Sequence, residues 1–116
     1  MLTEKDYCDY GTTVALEELG FPLEEDYGGV YIKSCGYKRP SLYEAQKFLR
    51  KEKNIIVDVR YGAQYYNVVL NHTITGGRHI VKDKNNRIAD FTEYEEALSE
   101  GIKEAVKILK ENGKAN

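Results

Sequence analysis

Two helix starts of nearly the same design bracket the most β-rich stretch of the chain. One reads Pro40-Ser41-Leu42-Tyr43-Glu44-Ala45, the other Phe91-Thr92-Glu93-Tyr94-Glu95-Glu96-Ala97. In each, a hydroxyl residue is followed three places later by Glu, the capping box that satisfies orphan N–H groups at a helix start. Between them, residues 55–61, 64–73 and 78–91 carry the patterning of strands. The order helix, several strands, helix is thereby set before any other feature is considered.

Alternation assigns the faces. Ile55, Val57, Val59 and Tyr61 share one side of the first strand, and Asp58 and Arg60 share the other with Ile56. In the next strand Tyr66, Val68 and Leu70 point inward, while Tyr65, Asn67, Val69 and Asn71 point outward. Gly62-Ala63 is expected as the turn joining the two. Gly76-Gly77 fits a two-residue hairpin turn, which demands positive φ. It leads into a third strand at 78–82, a polar turn at 83–86 and a short fourth strand at 87–91.

The helices follow from period 3.6. Leu42, Ala45, Phe48 and Leu49 form the stripe of a helix at 42–53. A longer stripe, Tyr94, Leu98, Ile102, Val106 and Leu109 with Ala97, Gly101, Ala105 and Ile108, marks a last helix at 93–111. Its small residues, four apart, allow a close approach to the sheet or to the preceding helix. Upstream, Val14, Ala15, Leu16 and Leu19 predict a helix at 10–19, stopped by Gly20 and Pro22. Gly28-Gly29 suggests a turn into a short strand at 30–34, and Lys38-Arg39-Pro40 a loop. The expected architecture is α+β, an antiparallel sheet of three to four strands with helices packed on one face. Its order is α-β-α-β-β-β-α in a single domain, residues 1–116, whose core is 40–111.

Charge and composition exclude several functions. A net charge of −2 and a pI near 5.7 oppose general affinity for nucleic acid or an anionic membrane surface. No apolar run approaches the ~20 residues a membrane span needs. The start, Met1-Leu2-Thr3-Glu4-Lys5-Asp6, lacks the basic and apolar regions of a signal peptide, so a cytoplasmic location is expected. Cys8 and Cys35 are then reduced and form no disulfide framework. No cofactor is expected.

From Pro40 onward, the order helix, three strands, helix resembles a double-stranded RNA-binding domain. Those domains place basic residues at the start of the last helix, against phosphates. This chain has Glu93, Glu95 and Glu96 there, so the resemblance extends to topology and not to RNA contact. A second resemblance rests on Leu19-Gly20-Phe21, on 40–50 (Pro-Ser-Leu-Tyr-Glu-Ala-Gln-Lys-Phe-Leu-Arg), on 55–59 and on 94–102. These segments are similar to a family of short proteins from gut anaerobes and their phages. The resemblance implies a small accessory role and no mechanism.

The chemistry-bearing residues are few. His72 and His79, with Cys8 and Cys35, lack the close pairing of metal ligands, so no metal site is expected. A Gly76-Gly77 turn sets residue 74 opposite His79 and His72 opposite Val81, making the histidines diagonal neighbours on one face. Asp6 and Asp9 beside Cys8 discourage a thiolate; Cys35, near Lys38 and Arg39, is the more plausible reactive thiol. No phosphate-binding glycine loop opens a helix. What remains is a recognition surface. Tyr65, Asn67 and Asn71 lie outward with Arg60 across from them, a mixture favoured in binding patches, unless the N-terminal helix covers that face.

Two functions of different class follow. The first is a non-catalytic binding or accessory module acting through a protein or a small ligand, a homodimer included. Its contacts would be Arg60, Tyr65, Asn67, Asn71, His72 and His79. The alternative is a small enzyme using a histidine as general base. That requires a concave pocket holding a histidine and a second polar group within hydrogen-bond reach.

Overall fold

The first of the two helix starts forms as its sequence dictates. Ser41 Oγ accepts from the Glu44 N–H at 3.1 Å, and Ala45 N–H bonds Ser41 O at 3.0 Å. In the computed structural model, which describes residues 2–22, 30–32 and 37–115, this helix is α2, Leu42–Glu52. Among the described residues it is the second of three α-helices, after α1 (Tyr10–Glu18) and before α3 (Tyr94–Ala115). Five strands complete the set: β1 Val30–Ile32, β2 Tyr37–Arg39, β3 Ile55–Gly62, β4 Tyr65–His72 and β5 Arg78–Ile80. α2 buries Leu42, Ala45, Phe48 and Leu49 and ends where Asn54 turns left-handed at φ 60°. The second start is displaced. The first turn of α3 closes from Ala97 N–H to Glu93 O, one residue later than a Thr92 cap requires.

β3, β4 and β5 form an antiparallel sheet in that order, with the helices packed on one face. Ile55, Val57, Val68 and Leu70 are buried beneath α2 and α3, as alternation requires. Gly101 marks the closest approach of helix to sheet: a Cβ there would sit 2.6 Å from both Val57 Cγ1 and Val68 Cγ2. A methyl cannot fit at that distance, so α3 can lie this low only with glycine at 101. No described helix is long and apolar enough to cross a membrane.

α1 is amphipathic in an unusual sense, because its buried residues are Thr12, Thr13 and Leu16. The threonines tolerate burial because Asp9 works as a cap: its Oδ1 accepts from Thr12 N–H, and its carbonyl accepts from Thr13 Oγ1, both at 2.8 Å. Gly20, at φ 100°, ends the segment. α1 lies against α3 and does not cover the outer face of the sheet.

Several connections differ from the sequence reading. Residues 37–39 are not a loop but β2, paired with β1 in the register Val30↔Arg39. The strand expected at 30–34 is described only over Val30–Ile32, and Gly28, Gly29 and Cys35 lie outside the described residues. The β3–β4 turn is Ala63-Gln64, both left-handed at φ 52° and 72°, since Gly62 still pairs with Tyr65. The β4–β5 connection is longer than two residues. His72 N–H bonds Gly77 O, and Gly76 N–H closes back on His72 O at 2.9 Å. His79 therefore faces Leu70, not residue 74, and His72 does not face Val81. Finally, 87–91 is no continuous strand. It touches the sheet by single bridges, Lys82↔Ile88 and Tyr66↔Phe91.

Candidate functional site

The corrected register moves the hairpin by four residues, an even number, so both histidines keep the same face. That face is the helix-bearing one, and the histidines look toward the second half of α3. His72 ends β4. The loop that follows folds back so that its Nδ1 accepts from Ile74 N–H at 3.3 Å and Thr75 N–H at 3.1 Å. A neutral ring accepting at Nδ1 carries its proton on Nε2, which makes Nε2–H a donor. His79, on β5, sets its Nε2 at 3.3 Å from Glu104 Oε1 on α3.

Around this pair the edge strand and α3 diverge and leave an open cleft of about 400 Å³. Ile55, Leu70 and Ile108 give it an apolar floor; His72, Arg78, His79, Glu104, Lys107 and Glu111 give it a polar rim. A second hollow, about 540 Å³, shares Arg78, His79, Glu104 and Lys107 with it and adds Lys82 and Asn86. Volumes of this size suit small organic ligands.

The four outer-face candidates are placed differently. Arg60 is tied to its neighbour, Nε to Asp58 Oδ2 at 2.9 Å. Asn67 Nδ2 donates to Ala89 O at 2.8 Å and Asp90 Oδ1 at 2.7 Å, which fastens 89–91 to the sheet. Tyr65 is exposed and Asn71 half-buried. The structure thus brings His72 and His79 together and leaves Arg60, Tyr65, Asn67 and Asn71 on the opposite face. Tyr61, opposite Tyr66 in register, meets it at a tilt with ring centroids 4.9 Å apart, and Tyr66 meets Tyr94 edge-on at 5.9 Å.

A further polar cluster sits at the N-terminus, where Glu4–Asp6 makes one 3₁₀ turn. Asp6 accepts from Thr3 N–H at 2.8 Å and from the Tyr43 hydroxyl at 2.7 Å. The Thr3 N–H, then the Tyr43 hydroxyl, hold its carboxyl below the usual range, and burial opposes them without prevailing. Tyr43 is pushed up to about 12 by burial and by Asp6. Buried Arg39 pairs with Glu4 and lies 5.9 Å from the Tyr7 ring. Burial also pushes the Cys8 thiol up to about 12, which leaves it inert as a nucleophile. These contacts pin the N-terminal segment to the start of α2, where Cys8 N–H bonds Pro40 O at 2.9 Å.

Sequence reasoning passed over Arg78, Glu104 and Lys107. One signal was present. Gly101, Ala105 and Ile108 mark the inward stripe of α3, and Glu104 lies on its border, one turn after Gly101. An acid at the edge of an apolar stripe faces whatever the sheet presents there. Among the described residues, no group of three or more His, Cys, Asp or Glu side chains is arranged to hold a metal. Comparisons with protein-family models, curated proteins and solved structures each return no match.

Proposed function

We propose that the protein is a non-catalytic binding module whose ligand seat is the cleft between β5 and α3. The observation that carries this reading is the convergence of His72 and His79 with Glu104 over an apolar floor. Orienting polar groups above an apolar surface are the makings of a small-molecule site. The outer face supports a binding role less well, because Asn67 already spends its amide donors within the chain and Arg60 Nε is held by Asp58. The lining residues of the cleft include no hydroxyl or thiol, which favours binding over covalent catalysis.

Amide-shift mapping with a panel of small aromatic amides, acids and amines tests the proposal. Perturbations are expected at Leu70, His72, Gly77, His79 and Lys107. Shifts confined to Ile56, Tyr65 and Asn71 would move the site to the outer face and sink the reading.

A second reading has one specific observation behind it. An imidazole oriented by a carboxylate, as His79 is by Glu104 at 3.3 Å, has the form of a general base. It supports proton transfer on a ligand held in the same cleft. On that reading His79→Gln abolishes turnover of the bound compound and spares its binding.

A further inference from the structure

We infer that the cleft between β5 and α3 takes a neutral ligand, a compact apolar body carrying a carbonyl that accepts a hydrogen bond from His72. This rests on the reading of the cleft as the ligand seat and adds the chemistry of its occupant.

Three observations carry it. The first is the balance of charge. Glu104 and Glu111 line the cleft against Lys107 and Arg78. Arg78 pairs in register with Asn71 and so belongs to the opposite face of the sheet. Lys107 lies between the two carboxylates on α3, at the i,i+3 and i,i+4 spacings of neighbours on a helix surface. An anionic head beside Lys107 therefore meets both carboxylates, and a cationic head beside either carboxylate meets Lys107. Neither finds an unopposed counter-charge to replace the hydration it gives up. The second observation is the floor. Ile55 and Leu70 are buried members of the core and Ile108 packs against it, so an apolar body covers a surface continuous with the interior. The third is the His72 ring, which lines the cleft while its Nδ1 accepts from Ile74 N–H and Thr75 N–H of its own loop. The loop fixes the ring and its tautomer, and Nε2–H is the donor it has for a ligand. A carbonyl oxygen answers that donor without bringing a charge into the cleft.

The test compares 3-phenylpropanamide, 3-phenylpropanoate, 3-phenylpropylamine and propylbenzene on the full chain, by amide-shift titration. At about pH 8 imidazole is neutral, the carboxylate ionised and the primary amine protonated. The amide is expected to bind in the cleft, and the acid and the amine to bind about tenfold more weakly or worse. His72→Asn keeps an acceptor for the loop at the place of Nδ1 and removes Nε2–H. It should weaken the amide about fivefold and leave propylbenzene, which has no acceptor, unchanged. Equal weakening of both compounds would trace the effect to the loop and overturn the role of His72 as donor. If the acid or the amine binds in the cleft as tightly as the amide, the neutral-ligand proposal falls and the cleft remains the ligand seat. If none of the four perturbs the cleft, both readings fall together.

Discussion

Asp6 shows how much one side chain can organise at the residue scale. Its two oxygens take the Thr3 N–H and hydroxyl on one side and the Tyr43 hydroxyl on the other, joining the first turn of the chain to α2. These donors hold its carboxyl below the usual range, the Thr3 N–H foremost. A lowered folded value gives a definite sign. The contribution to stability is fully present above the unfolded value of about 3.9 and is lost as pH falls through the lower folded value. Asp6→Asn removes the charge without changing the shape. The melting temperature of wild type should exceed that of Asp6→Asn at pH 6, and the gap should close as both are acidified through and below the lowered Asp6 carboxyl range. A gap that stays constant across that range would show that the carboxylate charge plays no part. His72 belongs to the same scale. Its face was legible from parity alone, because an error of four residues in the register leaves parity intact. Its partners were not legible, since the loop that bonds Nδ1 forms only when Gly76 closes back on His72.

Elements were legible where periodicity was long, and connections were legible where a turn residue declared itself. α2, α3 and the alternation of β3 and β4 have enough repeats for the pattern to be unambiguous. β2 does not: it has three residues, and Arg39 within it is buried through contact with Glu4, far away in sequence. The β3–β4 turn is the clearest case of a missing signal. Type I′ hairpin turns require positive φ at both central positions and favour Asn-Gly, yet Ala63 and Gln64 occupy that backbone here. Glycine at 62 drew the expected turn one residue early, although Gly62 pairs with Tyr65. Each left-handed non-glycine residue costs roughly 1–2 kcal/mol relative to its ordinary conformation. Replacing the pair, Ala63→Asn with Gln64→Gly, should therefore stabilise the protein by about 1 kcal/mol once the added chain entropy of glycine is deducted. Urea unfolding measures it. An unchanged or lower midpoint would show that the hairpin does not strain these residues.

For the whole molecule, topology and electrostatics point in different directions. From α2 onward the chain is helix, three antiparallel strands, helix, with both helices on one face, an order that resembles a double-stranded RNA-binding domain only as a sequence of elements. Such a domain needs cations at the start of its last helix to meet phosphates. Here the first turn of α3 carries Glu95 and Glu96, preceded by Glu93, whose carboxylate already holds Lys5 at 2.7 Å. Lys103, the next cation along α3, is taken up by Asp9 at 3.2 Å and Glu100 at 3.5 Å. The next cation along this helix, Lys107, lies further on, beside the β5 cleft and between Glu104 and Glu111. A polyanion laid along the first turn would meet fixed negative charge and would have to break the Lys5–Glu93 pair to gain a cation. The expected outcome in a gel-shift assay is no retardation of a duplex of roughly 20 base pairs, longer than the ~16 such domains span. The assay belongs at about 50 mM salt, where phosphate contacts are strongest. Retardation that fades as salt rises would show that the acidic turn does not govern the surface.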